Sequence, residues 1–151
     1  MNILRDGDDM KTINLYLSGG MTNLSYKERT TWRNQIKNSL KYEDYDCDKR
    51  CCVFDPTIYF DIDNPTHQSE KEAMNFDLNA LRKSDLIVVN FNDEKSIGTA
   101  MEIMLAYELR IPIIGICTEE KVIHPWLLQC VDRMCRNTRE CVNYIIEYYL
   151  N

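Results

Sequence analysis

Glu102 is the only charged residue in Gly98-Thr-Ala-Met-Glu-Ile-Met-Leu-Ala-Tyr107, a stretch that otherwise has the composition of a core-seeking helix. It follows a strand-like Leu86-Ile-Val-Val-Asn90 and a short loop from Phe91 to Ile97. Burying an unpaired carboxylate is expensive, so this one must be paired, capped or put to chemical use. Just past the end of a buried strand is also where open α/β proteins place reactive groups. Two further features carry chemistry. Tyr16-Leu-Ser18-Gly19-Gly20-Met21 sets an apolar strand against a tight glycine turn, which lets a ligand approach the backbone closely. Asp77, in Asn75-Phe-Asp-Leu-Asn79, is a second carboxylate on the helix before that strand.

Each has a plainer reading. Thr99-x-x-Glu102 matches a capping box, in which Glu102 bonds the Thr99 amide. The glycine segment is neither the GxGxxG fingerprint nor a P-loop, because the second half of each pattern is missing. A lone Asp77 on a helix reads as a solvated acid.

The elements that must position these residues alternate. Thr12–Leu17 reads as a first strand, Ser25–Leu40 as a helix with Lys27, Glu28, Arg29 and Arg33 on its solvated face, and Cys51–Phe54 as a second strand. Thr57–Gln68 reads as a loop. Ser69–Lys83 is expected to be a helix with Ala73, Phe76, Ala80 and Leu81 inward, followed by strand Asp85–Asn90, helix Gly98–Arg110 and strand Ile111–Cys117. His124-Pro-Trp126 opens a further helix. A short strand over Asp132–Cys135 and a last helix over Thr138–Leu150 complete the chain. Residues 1–11 read as a flexible tail and 12–151 as one domain. Continuous apolar strands separated by helices imply an α/β, doubly wound parallel sheet of about five strands, a Rossmann- or flavodoxin-like three-layer sandwich.

Composition narrows the partners. A net charge of −6 with scattered basic residues argues against a nucleic-acid backbone. No apolar run approaches the ~20 residues that span a bilayer, and no secretory h-region opens the chain, so a cytoplasmic protein without membrane contact is expected. Seven cysteines, an odd number, argue against a disulfide scaffold. Cys47, Cys51 and Cys52 lack the CxxC or His spacing of a zinc site, so no metal is expected. Cys117 reads as part of a strand, and Cys130, Cys135 and Cys141 as small core residues.

Taken in order, Tyr16-Leu-Ser-Gly-Gly-Met21, Phe54-Asp-Pro56, Phe76-Asp77-Leu78 with Ser84-Asp85, and Gly98-Thr99-x-x-Glu102-x-x-x-Ala106-Tyr107 resemble the nucleoside 2-deoxyribosyltransferase-like superfamily, which includes 2'-deoxynucleoside 5'-phosphate N-hydrolases. The resemblance covers about residues 12–117, and the tail with His124-Pro-Trp126 and Asp132-Arg133 resembles small phage and bacterial members. It implies that Glu102 is the nucleophile at the anomeric carbon, that Tyr16 orients it, and that Asp77 protonates the departing base. Carboxylates suit both tasks, since one can capture an oxocarbenium-like centre and another, with a raised pKa, can deliver a proton. The mechanism needs no metal or organic cofactor. The implied partner is a small nucleoside or nucleotide, and the implied assembly a homodimer or larger, with Tyr144–Tyr149 as a contributor to a neighbouring site or as a packing helix.

Within the resemblance, Ser18, Gly19, Gly20, Met21, Ser96, Gly98 and Thr99 are the expected substrate-binding residues. Ser96, six residues before Glu102, stands where nucleotide hydrolases hold a 5'-phosphate and nucleoside transferases carry an Asp. Gly20 and Thr22 stand where those hydrolases place a Ser and an Arg, so the strongest phosphate ligand is missing. Met21, Tyr59, Phe60 and Trp126 are candidates for a base pocket. Rival readings are a non-catalytic nucleotide sensor and a glycohydrolase of ribosyl monophosphates or nicotinamide dinucleotides. A flavodoxin-like electron carrier is a third, but Ser18-Gly-Gly-Met-Thr22 is a poor match to its phosphate loop.

Overall fold

The computed structural model describes residues 10–41, 47–60 and 64–151. The expected tail through residue 9 and the 42–46 part of the polar cysteine loop lie outside the described residues. Five strands, β1 (Thr12–Gly19), β2 (Arg50–Phe54), β3 (Leu86–Asn90), β4 (Ile113–Ile116) and β5 (Arg133–Cys135), form one sheet in the order β2-β1-β3-β4-β5, with every neighbouring pair parallel. The connections carry α1 (Tyr26–Ser39), α2 (Glu70–Arg82), α3 (Ile97–Glu108), α4 (Pro125–Cys130) and, after β5, α5 (Thr138–Ile145). The doubly wound parallel sandwich expected from the sequence is therefore the fold. Among the described residues no helix is long and apolar enough to cross a membrane.

Strand alternation sorts side chains between the two layers. Ile13, Leu15 and Leu17 of β1 and Leu86 and Val88 of β3 pack with Trp32 and Ile36 of α1 and Cys141 and Ile145 of α5. Tyr16 of β1 and Ile87 and Val89 of β3 face the other way, against Leu81 of α2 and Ile103 and Ala106 of α3. Register thus decides that Tyr16 points into the layer that carries Asp77 and Glu102. The strand order turns back between β1 and β3, and in sheets of this order the crevice at the carboxyl ends of those strands is where ligands sit.

Side-chain caps start the helices. Ser25 and Glu28 form a reciprocal capping box on α1, Ser69 accepts from the Glu72 amide on α2, and Ser96 accepts from the Thr99 amide on α3. The Thr99–Glu102 capping box weighed above is not made. Helix α3 begins one residue earlier than expected, at Ile97, so Thr99 is third in the helix and its own hydroxyl donates to Ser96 Oγ at 2.9 Å.

Other expectations are corrected by packing. Arg33 is wholly buried rather than on a solvated face. Phe76 is 38% exposed and belongs to an aromatic group at the sheet edge rather than to the core. A single 3-10 turn over Pro56–Tyr59 interrupts the expected loop, capped by Asp55. Cys117 falls just beyond β4, and α5 passes at Ile146 into a π-helical turn ending at Leu150. Tyr144 and Tyr149 pack against the core, which supports the packing reading of that helix.

Helix α3 closes at Glu108 rather than Arg110. Arg110 adopts φ 58°, its amide donates to Tyr107 O at 3.1 Å, and the Ile111 amide donates to Ala106 O at 2.9 Å. This is a Schellman close with arginine at the left-handed position that glycine usually takes. Relief of that left-handed strain outweighs glycine's extra chain entropy, so Arg110→Gly is expected to stabilise the fold by about 0.5 kcal/mol. Urea unfolding of the two proteins checks this.

Candidate active site

A cavity of about 950 Å³ opens at the carboxyl ends of β1 and β3, and Glu102 and Asp77 border it together with Met21, Tyr59, Phe60 and His67. That size suits a small-molecule ligand. Its floor comes from β1, where Tyr16 is fully buried and Ser18 is 1% exposed. Glu102, in the second turn of α3, lies above them. The residue is partly exposed at the cavity edge, but its Oε2 is buried, as are Tyr16 Oη and Ser18 Oγ, and none of these three atoms completes a well-formed hydrogen bond. Both hydroxyls nevertheless sit close enough to hold the Glu102 pKa down and so favour its carboxylate form.

The balance is still an upward shift. Burial pushes the Glu102 pKa up to about 7, the Tyr16 hydroxyl opposes the rise, the Asp77 charge adds to it, and Arg33 and Ser18 oppose it. Asp77 is raised to about 6, mainly by burial, against the positive charges of His67 and Arg33. Tyr16 is raised far above its ordinary value by burial and then by Glu102 and Asp77, so its hydroxyl stays protonated and can only donate to a carboxylate. Two carboxyls raised by burial, one of them further by the charge of the other, in one cleft, are a signature of acid–base or nucleophilic function.

One wall is aromatic. Tyr16 stacks on Phe54 at 5.4 Å, Phe54 on Tyr59 at 5.6 Å, and Tyr59 meets Phe76 edge-on at 4.9 Å. His67 continues the row, 4.9 Å from Phe76 with Nδ1 3.6 Å from Glu72 Oε1. The opposite wall is the start of α3 with Ser96, Gly98 and Thr99.

The two loops over the cavity are tied together. Asn92 Oδ1 accepts from the Gly20 amide at 3.2 Å, and Lys121 Nζ donates to Asn92 O at 2.7 Å. The glycines permit this approach. A Cβ at Gly19 would stand 2.9 Å from the Trp32 ring, and one at Gly20 would stand 2.6 Å from Asp93 Cβ.

Of the residues singled out in the sequence, Gly19, Met21, Asp77, Ser96, Gly98, Thr99 and Glu102 border the cavity. Tyr16 and Ser18 lie beneath it. Gly20 turns toward Asn92 and Asp93 and is not part of the lining. Trp126, 79% exposed on α4, is away from it. Sequence reasoning missed His67, Asp93, Lys95 and Glu70, which line the cavity without any motif to mark them. Among the described residues no group of three His, Cys, Asp or Glu side chains is placed to hold a metal.

A family profile described as nucleoside 2-deoxyribosyltransferase like matches residues 12–120, the whole span from β1 through β4. The chain belongs to that family. Solved structures share the fold. A 2-deoxyribosyltransferase from the psychrotolerant bacterium Bacillus psychrosaccharolyticus superposes with a TM-score of 0.68 at 16% identity, over 87% of this chain and 91% of the other. A conserved protein from Enterococcus faecalis V583 gives 0.70 at 15% identity, over 90% and 98%. The CMP N-glycosidase BcmB of Clostridium botulinum gives 0.56 at 15% identity, over 89% and 99%. No curated protein matches the chain in sequence. The profile ends before α4, β5 and α5.

Burial of Glu102 has a cost that depends on pH. A carboxyl whose pKa is raised in the folded state, here from 4.5 to about 7, binds its proton more tightly when folded. Its penalty is therefore absent below pH about 4.5, grows as pH rises, and is complete above pH about 7. Glu102→Gln is expected to remove this dependence. Its stability advantage over the native protein should grow across that window to at most about 3 kcal/mol, less where the cavity edge is hydrated, as measured by urea unfolding at several pH values.

Proposed function

We propose that the protein cleaves the N-glycosidic bond of 2'-deoxynucleosides or their 5'-monophosphates, passing the deoxyribosyl group to water or to a second base. The observation that carries this reading is the buried carboxyl of Glu102, held over the Tyr16 hydroxyl and facing Asp77 across one cleft. The relatives described as a 2-deoxyribosyltransferase and a CMP N-glycosidase support the same class of reaction.

In this mechanism the Glu102 carboxylate attacks C1' of the sugar as the C1'–N bond breaks. Asp77 gives its proton to the departing base, which leaves neutral. A glycosyl ester on Glu102 results, and water or another base then attacks C1', gives its proton to Asp77 and frees the Glu102 carboxylate, so configuration at C1' is retained overall. Tyr16 donates its hydroxyl to Glu102 and holds the attacking oxygen in place. The aromatic wall of Tyr59, Phe60 and His67 offers stacking surface to the base, and Gly19, Met21, Ser96, Gly98 and Thr99 surround the sugar end.

The charges in the cavity favour an uncharged sugar end. Asp93 and Glu70 join the two site carboxyls in the lining, and Lys95 and His67 are the basic residues there. Among the described residues no arginine is part of the lining, and Arg29 stands behind it, donating to Met21 O at 3.5 Å and lying 5.2 Å from the Phe60 ring. A 5'-phosphate would rest on Lys95 and on amides at the start of α3, such as that of Gly98. Ile97 and Met101 at the cavity rim and Met104 beyond it are exposed along α3, and a homodimer or larger assembly covering this face is part of the proposal. A monomer by light scattering at assay concentration would contradict that part.

Catalysis requires one proton on the pair, carried by Asp77, with Glu102 ionised; with Asp77 near 6 and Glu102 near 7 this is the minor of the two singly protonated forms. Because the two carboxyls lie near 6 and 7 and interact, they titrate as a pair. The kcat/KM profile should rise as the first proton leaves and fall as the second leaves, with its maximum between pH about 6 and 7. The decisive assay follows base release from deoxynucleosides and their 5'-monophosphates, with and without a second free base. Glu102→Ala is expected to lower kcat by at least about a thousandfold. Asp77→Asn is expected to lower it by about a hundredfold or more and to flatten the alkaline limb. No base release from any substrate, with or without an acceptor, would refute the reading.

A further inference from the structure

Arg33 is a buried cation behind the site, and the mechanism above gives it no task. It lies on α1, the helix on the opposite layer from Glu102 and Asp77, yet its side chain is fully buried. Burying a guanidinium is costly and is repaid only by good partners. Nη2 donates to Gly19 O at 3.2 Å, at the end of β1, and Nη1 donates to Arg29 O at 2.6 Å. The guanidinium stacks 4.6 Å from the Trp32 ring. Nε lies 3.7 Å from Asp55 Oδ1 and completes no hydrogen bond.

Asp55 does not neutralise it fully. That carboxylate already accepts from Lys37 Nζ at 2.6 Å, from the Thr57 amide at 2.9 Å and from the Thr57 hydroxyl at 2.6 Å. Arg33 thus shares Asp55 with a second cation and keeps positive charge to spare. Its Gly19 partner shares the cavity lining with Glu102 and Asp77. The other groups near enough to act on its charge are Glu102 from α3, Tyr16 from β1 and Arg29 from its own helix, while Asp77 on α2 also feels it. Burial draws its pKa down to about 10, so it remains charged at neutral pH. A clamp that only held the glycine turn would not need a charge, and a neutral donor would avoid the desolvation cost.

We propose that Arg33 is a positioning residue for the reaction, fixing the Gly19 carbonyl beneath the cavity and supplying, from behind the sheet, the positive charge that favours the carboxylate form of Glu102. This rests on the glycosidase reading for its purpose, but the electrostatic link can be measured without turnover. The Glu102 side-chain carboxyl is followed by 13C NMR, assigned by its absence in Glu102→Gln, and titrated in the native protein, Arg33→Met, Arg33→Lys and Asp55→Asn. The pH profile of kcat/KM is recorded beside it.

Arg33→Met should move the Glu102 midpoint upward by about one unit, leaving roughly tenfold less carboxylate below the midpoint, with a matching loss in kcat/KM there. Arg33→Lys, which keeps the charge, should hold the midpoint near the native value. Asp55→Asn, which removes the anion opposing Arg33, should move it down. A folded Arg33→Met with an unmoved midpoint would reduce Arg33 to a structural clamp and overturn the proposal. If Arg33→Met does not fold, an unmoved midpoint in Asp55→Asn overturns it equally. Midpoints that move as expected in a protein that releases no base would leave the electrostatic link standing and remove the glycosidase reading.

Discussion

The structure turns on one unfavourable placement, the carboxyl of Glu102 set into a core-facing helix with a buried oxygen that completes no well-formed hydrogen bond with the protein. Hydrophobic packing alone would replace it with a methionine or leucine like those around it. Every polar group within reach bears on its charge. Tyr16 and Ser18 lower the cost of ionising it, Asp77 raises that cost, and Arg33 offsets part of the repulsion from the far side of the sheet. Such a site is stable only because the surrounding fold is over-determined by packing, and stability given up at one residue is the usual mark of a group kept for chemistry.

That fold does the positioning through elementary periodicities. Alternation along β1 sends Leu15 and Leu17 to the α1/α5 layer and Tyr16 to the α2/α3 layer. A one-residue slip would exchange them and place a leucine under Glu102. The β1 register is fixed on both sides, pairing Tyr16 with Phe54 of β2 and with Ile87 of β3. The first pairing also stacks the two rings and so begins the aromatic wall. At the start of α3, the Ser96 cap sets the helix phase, and with it the side on which Glu102 emerges. Sheet register and helix phase together bring residues 16, 77 and 102 to one cleft.

Much of this was legible in the sequence. The continuous apolar runs of β3 and β4 announce a sheet covered on both faces, and the lone charge in α3 announces the site. What was not legible came from contacts distant in sequence or from competition between neighbouring signals. Arg33 follows a charged run at helical spacing and reads as solvated, since nothing local reveals that Asp55 and Gly19 O await it across the sheet edge. Thr99-x-x-Glu102 satisfied a capping pattern, but Ser96 capped the helix first, and that left Glu102 free of the backbone. Arg110 carries no left-handed preference, so only the Schellman hydrogen bonds mark the end of α3. His67 and Asp93 sit on loops, where no periodicity points to a cavity.

The central claim is that Glu102 becomes covalently bonded to the sugar. The most direct measurement is rapid quenching of the enzyme with a deoxynucleoside substrate, followed by mass spectrometry of its peptides, with the configuration of the released or transferred sugar determined in parallel. The account predicts a deoxyribosyl ester on the peptide containing Glu102, at Glu102 itself, and retention at C1'. Turnover with inversion at C1' and no adduct on that peptide would contradict it, because it would show water or the second base attacking the sugar directly.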